Sequence, residues 1–529
     1  SNGGEKNPSS GTSTPANHDP SKATIAFSAE PVSMTWWDNE EMAPIYSAYL
    51  TSSFLMKIDP DTMEAVPDLA ESVEVISDSE YVFHLRKGVK FHHGKEFTAD
   101  DVVATYNLIC QYPGSSPYVN AIVSVEALDP YSVKFVTDGP YPNLMYDVAY
   151  KYWFILPSDL IESGHDFASE PVGTGPFKMT SWSHGSYITY ERFDDYWDKD
   201  NMPGIQTLTW KVIPEGASRT IALQTGDVDI VYEVETADIS RIQQDSNLTL
   251  KEVASVENYC LTFNNDVAPL NDINFRNAIA YAIDREAIVL GALDGYAIPN
   301  GTSIALGYWG SCEDGAFTYD LDKAKAYLDA WGGDPSSVTL PILAWSEQLV
   351  RVATIIQDNL SQIGIKVEVV QCDTATFSSL RASGDYSAAL SYWSPSNAFN
   401  YIVRYDSSKR QSVKGACNDA KVDELIAKIK TTVDDDARLE LIHECVRRVN
   451  EIAQQPSLYQ PITFRAYNKA LDGLKFTAHG YFDFSNIHWT EESRVDVPAG
   501  CCPLYGAAPR IVEKQPHLLQ ALQRGENIC

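Results

Sequence analysis

The hydrophobic and polar positions alternate in short, well-separated runs from residue 23 onward. The run 23–28 reads as a strand, and an amphipathic segment follows over 41–54. Runs 69–76 and 81–86 alternate with period two around the turn 77–80, which predicts a hairpin. A second hairpin is predicted from 124–128 and 132–136 around Asp129-Pro130. Between them, Thr98-Ala99-Asp100-Asp101 opens a helix: Thr98 takes the N-cap position and both carboxylates sit where the helix dipole favours negative charge. Gly173-Thr174-Gly175-Pro176 forms a tight loop before strand 177–182, and strands 187–192 and 207–212 follow. A helix over 217–223 ends at Gly226, suited to a left-handed cap. Strands 229–232 and 258–264 lead into a helix over 272–292.

The later part keeps the mixed pattern. Strand 338–344, helix 347–362, strand 365–370, helix 374–383 and strand 386–392 succeed one another, the order of an α/β lobe with a largely parallel sheet. Helices 421–431 and 434–455 come next. The patterned chain ends near Trp489, and 495–529 changes character. At the other end, residues 1–21 are rich in Ser, Thr, Asn, Gly and Pro and read as a flexible leader or tether, with Ser1-Asn2 resembling a protease scar.

At 529 residues the chain is long enough for several domains, and 44% hydrophobic with 21% charged residues excludes wholesale disorder. The formal net charge of −32 argues against nucleic acid or a bare anionic membrane as partner. No segment approaches the ~18 consecutive apolar residues needed to span a bilayer. Nine cysteines are scattered without a CxxC pair or a zinc or iron–sulfur spacing. One disulfide between members of the set Cys260 to Cys445 stays open at this level.

Catalytic motifs are absent. There is no GxSxG elbow, phosphate loop, HExxH or EF-hand loop. Gly173-Thr174-Gly175 lacks a third glycine and a following helix, so it is a turn and not a phosphate cradle. His92 and His93 would point to opposite faces of a strand, which disfavours joint metal ligation. We therefore expect no catalytic residues, no metal and no cofactor. Aromatic pairs carry more information: Trp36-Trp37, Tyr308-Trp309 and Tyr392-Trp393 fall at or beyond strand ends, where ligands of open α/β sheets sit. Eleven Trp and 29 Tyr supply flat apolar area with polar tips, suited to a binding cleft.

The segment Leu69-Ala70-Glu71-Ser72 together with Tyr81-Val82-Phe83-His84-Leu85-Arg86-Lys87-Gly88-Val89-Lys90-Phe91-His92-His93-Gly94-Lys95-Glu96-Phe97-Thr98-Ala99-Asp100-Asp101-Val102 resembles the signature of the family 5 extracellular solute-binding proteins, the oligopeptide, dipeptide and nickel receptors of ABC importers. Val172 to Phe177, Gly226-Asp227-Val228-Asp229, Phe275 to Arg285 and Ile363-Gly364-Ile365 match in order, covering about residues 23–489. The resemblance implies an α/β, two-lobed periplasmic-binding-protein-like fold (type II, cluster C) with an extra subdomain in lobe I and a hinge between lobes. Lobe I would take 22–262 plus 468–494, lobe II 263–467, with 495–529 as an atypical tail. Arg276, Asp284 and Arg285 would form helix and interlobe ion pairs. A ligand would be trapped by hinge closure, without covalent chemistry.

In such receptors an acidic residue for the ligand's amino end often lies in the loop after the strand matching 386–392. Here that loop reads Trp393-Ser394-Pro395-Ser396-Asn397-Ala398-Phe399-Asn400, with Ser396 or Asn397 where aspartates are expected. Neutral groups suit an uncharged polar ligand. Arg351 lies near the position where dipeptide receptors place an arginine for the carboxyl end. The candidate ligand contacts are Trp36, Trp37, Tyr259, Arg351, Trp393, Ser394, Ser396 and Asn397. The expected partners are a peptide or other small molecule and the membrane permease of an ABC importer, for a monomeric protein that is periplasmic or on the cell surface and lipid-anchored. An uncharged glycan or a metal chelate is the alternative ligand. A hydrolase working in the same cleft is the alternative function.

Overall fold

A computed structural model of the chain describes residues 19–39 and 41–490. The leader over 1–18 and the tail 495–529, with Cys501, Cys502 and Cys529, lie outside the described residues.

The chain folds into two α/β lobes that share one large mixed sheet. In lobe I, Lys22–Phe27 runs parallel to Thr207–Val212, with Ile25 opposite Trp210. Tyr187–Arg192 and Phe177–Ser183 extend it antiparallel. Alternation places Ile25, Phe27, Tyr190, Leu208 and Trp210 in one buried layer. In lobe II, Thr339–Ala344 lies between Lys366–Gln371 and Ala388–Trp393, parallel to both, and Asn258–Phe263 adds antiparallel to the last. Helices Ile273–Ala282 and Glu347–Ser361 cover this sheet with Phe275, Ile279, Val352 and Ile356.

The extra subdomain is a four-stranded antiparallel sheet, in the order Ala70–Ser77, Glu80–Leu85, Ser132–Thr137 and Ile122–Asp129, backed by helix Ala99–Ile109. Both expected hairpins are present, and Val75 faces Tyr81 across the first. The signature residues lock together there. Asp101, fully buried, accepts from Lys95 Nζ (2.8 Å), Thr98 N (2.8 Å) and Ser158 N (2.8 Å). His92 is not on a strand; its Nε2 lies 3.0 Å from Gly175 O, and Gly173 N donates to its Nδ1 at 3.3 Å. The glycines are required there: a Cβ on Gly173 would stand 2.2 Å from Thr51 O, and one on Gly175 2.5 Å from Thr51 C.

Three expectations need correction. The single helix over 272–292 is two, Ile273–Ala282 and Arg285–Ala292, because Asp284 starts the second by accepting from Ala287 N at 3.0 Å. Arg276 and Arg285 make no interlobe ion pair. They bond backbone carbonyls inside lobe II, Arg276 to Leu270 and Ile452, Arg285 to Asn300 and Ser457, so neutral acceptors take most of the buried donors, Arg285 Nη2 excepted. The disulfide left open within Cys260 to Cys445 is absent: Cys260, Cys312, Cys372, Cys417 and Cys445 are all free thiols.

The lobes meet along the long strand Ser457–Asn468. Its later part pairs with Leu248–Ala254 from Ala254↔Ile462 to Leu248↔Asn468, and its start pairs with Asn258–Phe263 at Tyr259↔Tyr459 and Cys260↔Ser457. Between these stretches Ser255 N donates to Pro461 O (2.9 Å). The buried Gln460 donates to Ser255 O (2.7 Å) and accepts from Leu306 N (2.7 Å).

Candidate functional site

The seam between the lobes is lined from lobe II by the segment after strand Ala388–Trp393. The strand starts two residues later and ends one residue later than the pattern indicated, so Trp393 is its last residue and pairs with Asn258. Ser394 is exposed, and the chain then turns inward: Ser396 and Asn397 are buried. Asn397 caps the short helix Ala398–Ile402, its Oδ1 accepting from Asn400 N at 3.0 Å. Asn397 Nδ2 and Asn400 Nδ2 both donate to Ser396 Oγ, at 3.0 and 2.9 Å. Ser396 and Asn397 thus satisfy each other, which explains how neutral groups can be buried here.

This segment reaches groups of lobe I. The Tyr118 phenol lies beside Ser396, Asn400 beside the Asp147 carboxyl, and the buried imidazole of His479, whose Nε2 has no partner, beside the backbone of Pro395 and Ser396. Tyr308 donates to Pro395 O from within lobe II. Asp147 accepts from Tyr141 Oη (2.7 Å) and Asn143 Nδ2 (3.0 Å). Burial raises its carboxyl to about 8, against the opposing pull of those hydrogen bonds. Burial lowers His479 to about 4, so its imidazole is neutral at pH 7. Tyr150 links this set to Tyr118 and Tyr481. Two cavities adjoin the seam. One of about 10 Å³, room for a single water, lies between Asn143, Tyr146, Tyr308, Asn397 and Arg438. A larger one of about 80 Å³ runs into lobe I beside Lys57, Asp68, Tyr150 and His479.

The candidate contacts separate into groups. Trp393, Ser394, Ser396 and Asn397 share the seam segment. Tyr259 lies on the adjacent strand but on the other face of the sheet, stacked between Tyr392 (5.1 Å) and Tyr459 (4.8 Å), its hydroxyl donating to Glu257 at 3.0 Å. Trp36 and Trp37 are 3% and 7% exposed, packed edge-to-face on each other and against Phe154 and Phe167 of lobe I. Arg351 is exposed on helix Glu347–Ser361, which covers the far side of the lobe II sheet. Sequence reasoning did not single out Tyr118, Asp147 or His479, nor Arg404, whose guanidinium stacks on Trp393 at 4.2 Å. The one readable signal was Asp147, a lone carboxylate inside the apolar run 144–156. Among the described residues no cluster of three His, Cys, Asp or Glu side chains could hold a metal ion.

The arrangement is a polar, aromatic-walled junction with neutral hydrogen-bonding groups on both sides. The model for bacterial extracellular solute-binding proteins, family 5 Middle, matches residues 64–412. The chain is similar to a dipeptide-binding protein of Escherichia coli, 27% identical over 82% of this chain and 88% of that one. It is also similar to the oligopeptide-binding protein AppA of Bacillus subtilis, 29% identical over 82% of this chain and 85% of that one. The solved structure of the periplasmic binding protein DppA from Helicobacter pylori, in complex with the peptide STSA, has the same fold, with a TM-score of 0.68, 23% identity, and coverage of 89% of this chain and 98% of that one.

Proposed function

Because the chain belongs to the bacterial extracellular solute-binding proteins, family 5, we propose that it is the extracytoplasmic receptor of an ABC importer that captures a small peptide between its lobes and hands it to the membrane permease. The observation that supports this reading most is the engagement of one lobe II segment, residues 393–400, with Tyr118, Asp147 and His479 of lobe I. A ligand held there is enclosed by both lobes, and in a water-poor site each hydrogen bond to its backbone gains strength. Side chains that donate and accept without charge suit recognition of a peptide backbone.

We place the chain crossings at residues 255–257 and at Pro461, where the shared strand passes from the lobe I ladder to the lobe II ladder. This moves the boundaries from those expected at 262/263 and 467/468. Rotation of one lobe on the other about these two crossings opens and closes the seam. The reading is of binding without turnover, by a monomer. No helix among the described residues is long and apolar enough to cross a membrane. Attachment at the cell surface or in the periplasm through a lipidated leader is part of the proposal.

The test is a thermal-shift screen with di- and tripeptides, free and N-acetylated, followed by calorimetry and by mass spectrometry of the recovered ligand. A ligand at 100 times its Kd adds ~2.7 kcal/mol of stability. Trp393→Ala is expected to abolish the ligand-induced shift, and to lower the unliganded melting point only by the loss of the ring stacked on the buried guanidinium of Arg404. Recovery of cleaved peptide would replace the receptor by a hydrolase.

A further inference from the structure

Behind Trp393 lies a charged group that nothing in the described structure neutralises. Arg404, on the turn Val403–Tyr405, is 7% exposed. Its guanidinium stacks against Trp393 at 4.2 Å, Tyr401 at 4.8 Å and Tyr405 at 5.3 Å. Nη2 donates to Gln455 Oε1 and to Cys260 Sγ (3.5 Å), both neutral acceptors. Nε and Nη1 are buried and have no partner.

A guanidinium in this setting needs compensation, and here neutral acceptors and π faces supply only part of it. The hinge carboxylate of Glu257 accepts from Tyr259, on the opposite face of the strand pair Asn258–Phe263 and Ala388–Trp393, because Tyr259 faces Tyr392 while Asn258 faces Trp393. The segment 393–400 contains no acid. Asp147, the carboxyl it meets, is held protonated by burial.

We propose that Arg404 sets the charge preference of the lobe II wall: the ligand group seated against Trp393 is anionic or neutral, and an ammonium is rejected. The inference rests on the reading that ligand lies between the lobes against Trp393, and it narrows the peptide class to those whose amino end is blocked or placed elsewhere. Trp393 is 36% exposed, so one side of the indole is open while the guanidinium occupies another. A ring already polarised by a cation on one face is a poor platform for a second cation on the other, and the two charges repel across it. A carboxylate or an electron-rich neutral group is favoured there for the same reason.

The first measurement needs no ligand. The fluorescence of Trp393, taken as wild type minus Trp393→Phe, is quenched by iodide and by caesium at matched ionic strength. The expected result is severalfold stronger quenching by iodide, despite a chain that carries −32. Arg404→Gln should erase that preference and Arg404→Lys retain it. Equal or stronger quenching by caesium in the wild type overturns the proposal, and this reading does not depend on whether Arg404→Gln folds. The second measurement is calorimetry with tri-alanine and N-acetyl-tri-alanine. The acetylated peptide should bind about tenfold tighter, and Arg404→Gln should narrow the gap to within about twofold. Preference for the free amine overturns the proposal. If neither peptide binds while the iodide preference holds, the peptide reading fails and the charge assignment stands.

Discussion

The signature block of the extra subdomain and the seam segment after Trp393 dispose of their polar groups in opposite ways. In the first, every strong interaction closes within lobe I: Asp101 holds Lys95, Thr98 and Ser158, and His92 holds the backbone of Gly173 and Gly175. In the second, Ser396, Asn400 and Pro395 lie against Tyr118, Asp147 and His479 of the other lobe. A segment whose interactions are local is bound to one sequence solution and is easily read. A segment whose partners come from another lobe is free to change with the ligand. The strongest motif in the chain therefore reports the fold, while the site we propose falls in the weakest-looking loop.

Breaking the first half of that contrast should have the largest effect. Asp101→Ala removes a fully buried carboxylate and strands Lys95 with two backbone donors, at a cost of ~3–5 kcal/mol. Urea denaturation is expected to show that loss, while the fraction that remains folded binds ligand with unchanged affinity. A weakened affinity at equal foldedness would show that the signature block does take part in binding.

The next effect sharpens the second half. Asp147 has a folded pKa of about 8, above that of an unfolded aspartate, so the native state keeps a proton the unfolded chain has lost. Stability from this group is complete below about pH 4 and falls as pH rises toward 8. His479 works in the other direction: its folded pKa of about 4 lies below the unfolded 6.5, so it adds stability as pH rises through that interval. The Asp68 carboxyl, raised to about 6 by burial, has finished most of its titration by pH 6.5. Between pH 6.5 and 8 Asp147 dominates, and the wild type should lose up to ~2 kcal/mol at ~1.4 kcal/mol per unit. Asp147→Asn is expected to flatten that interval, read as urea midpoints against pH. An unchanged slope would place the titrating group elsewhere.

The same contrast explains what was legible beforehand. Both hairpins, the helix after Thr98 and the parallel lobe II sheet follow from local period and capping, and all are present. The break at Asp284 was readable in principle, since Asp is a strong cap, but the apolar run across it hid the boundary. In the seam, the neutral loop could be found because it departs from a pattern. Tyr118, Asp147, His479 and Arg404 could not, because each acquires meaning only from a partner hundreds of residues away or from a buried neighbour on another element. Trp36 and Trp37 illustrate the converse: the aromatic pair stands out in the sequence, yet its rings pack against Phe154 and Phe167.

Smaller effects probe the seam itself. Ser396→Ala removes the acceptor shared by Asn397 and Asn400 and the hydroxyl that faces the Tyr118 phenol. With two amide donors left unpaired, the unliganded protein is expected to lose ~1–2 kcal/mol, read as a lowered melting point, and ligand Kd to change by up to about fivefold by calorimetry. A loss confined to the melting point would assign Ser396 to lobe II packing alone.

The smallest expected effect is also the most discriminating between the lobes' two sides. Arg351 is exposed on a helix whose buried residues Leu349, Val352 and Ile356 face the lobe II core. Helical periodicity therefore turns Arg351 toward solvent on the flank away from the seam segment. Arg351→Ala should alter stability by less than ~0.5 kcal/mol and leave ligand Kd within about twofold. A tenfold loss of affinity would mean that the start of this helix reaches the ligand when the lobes close. The carboxyl end of a peptide would then have an anchor on that helix, and the binding site would extend beyond the segment 393–400 to both faces of the lobe II sheet.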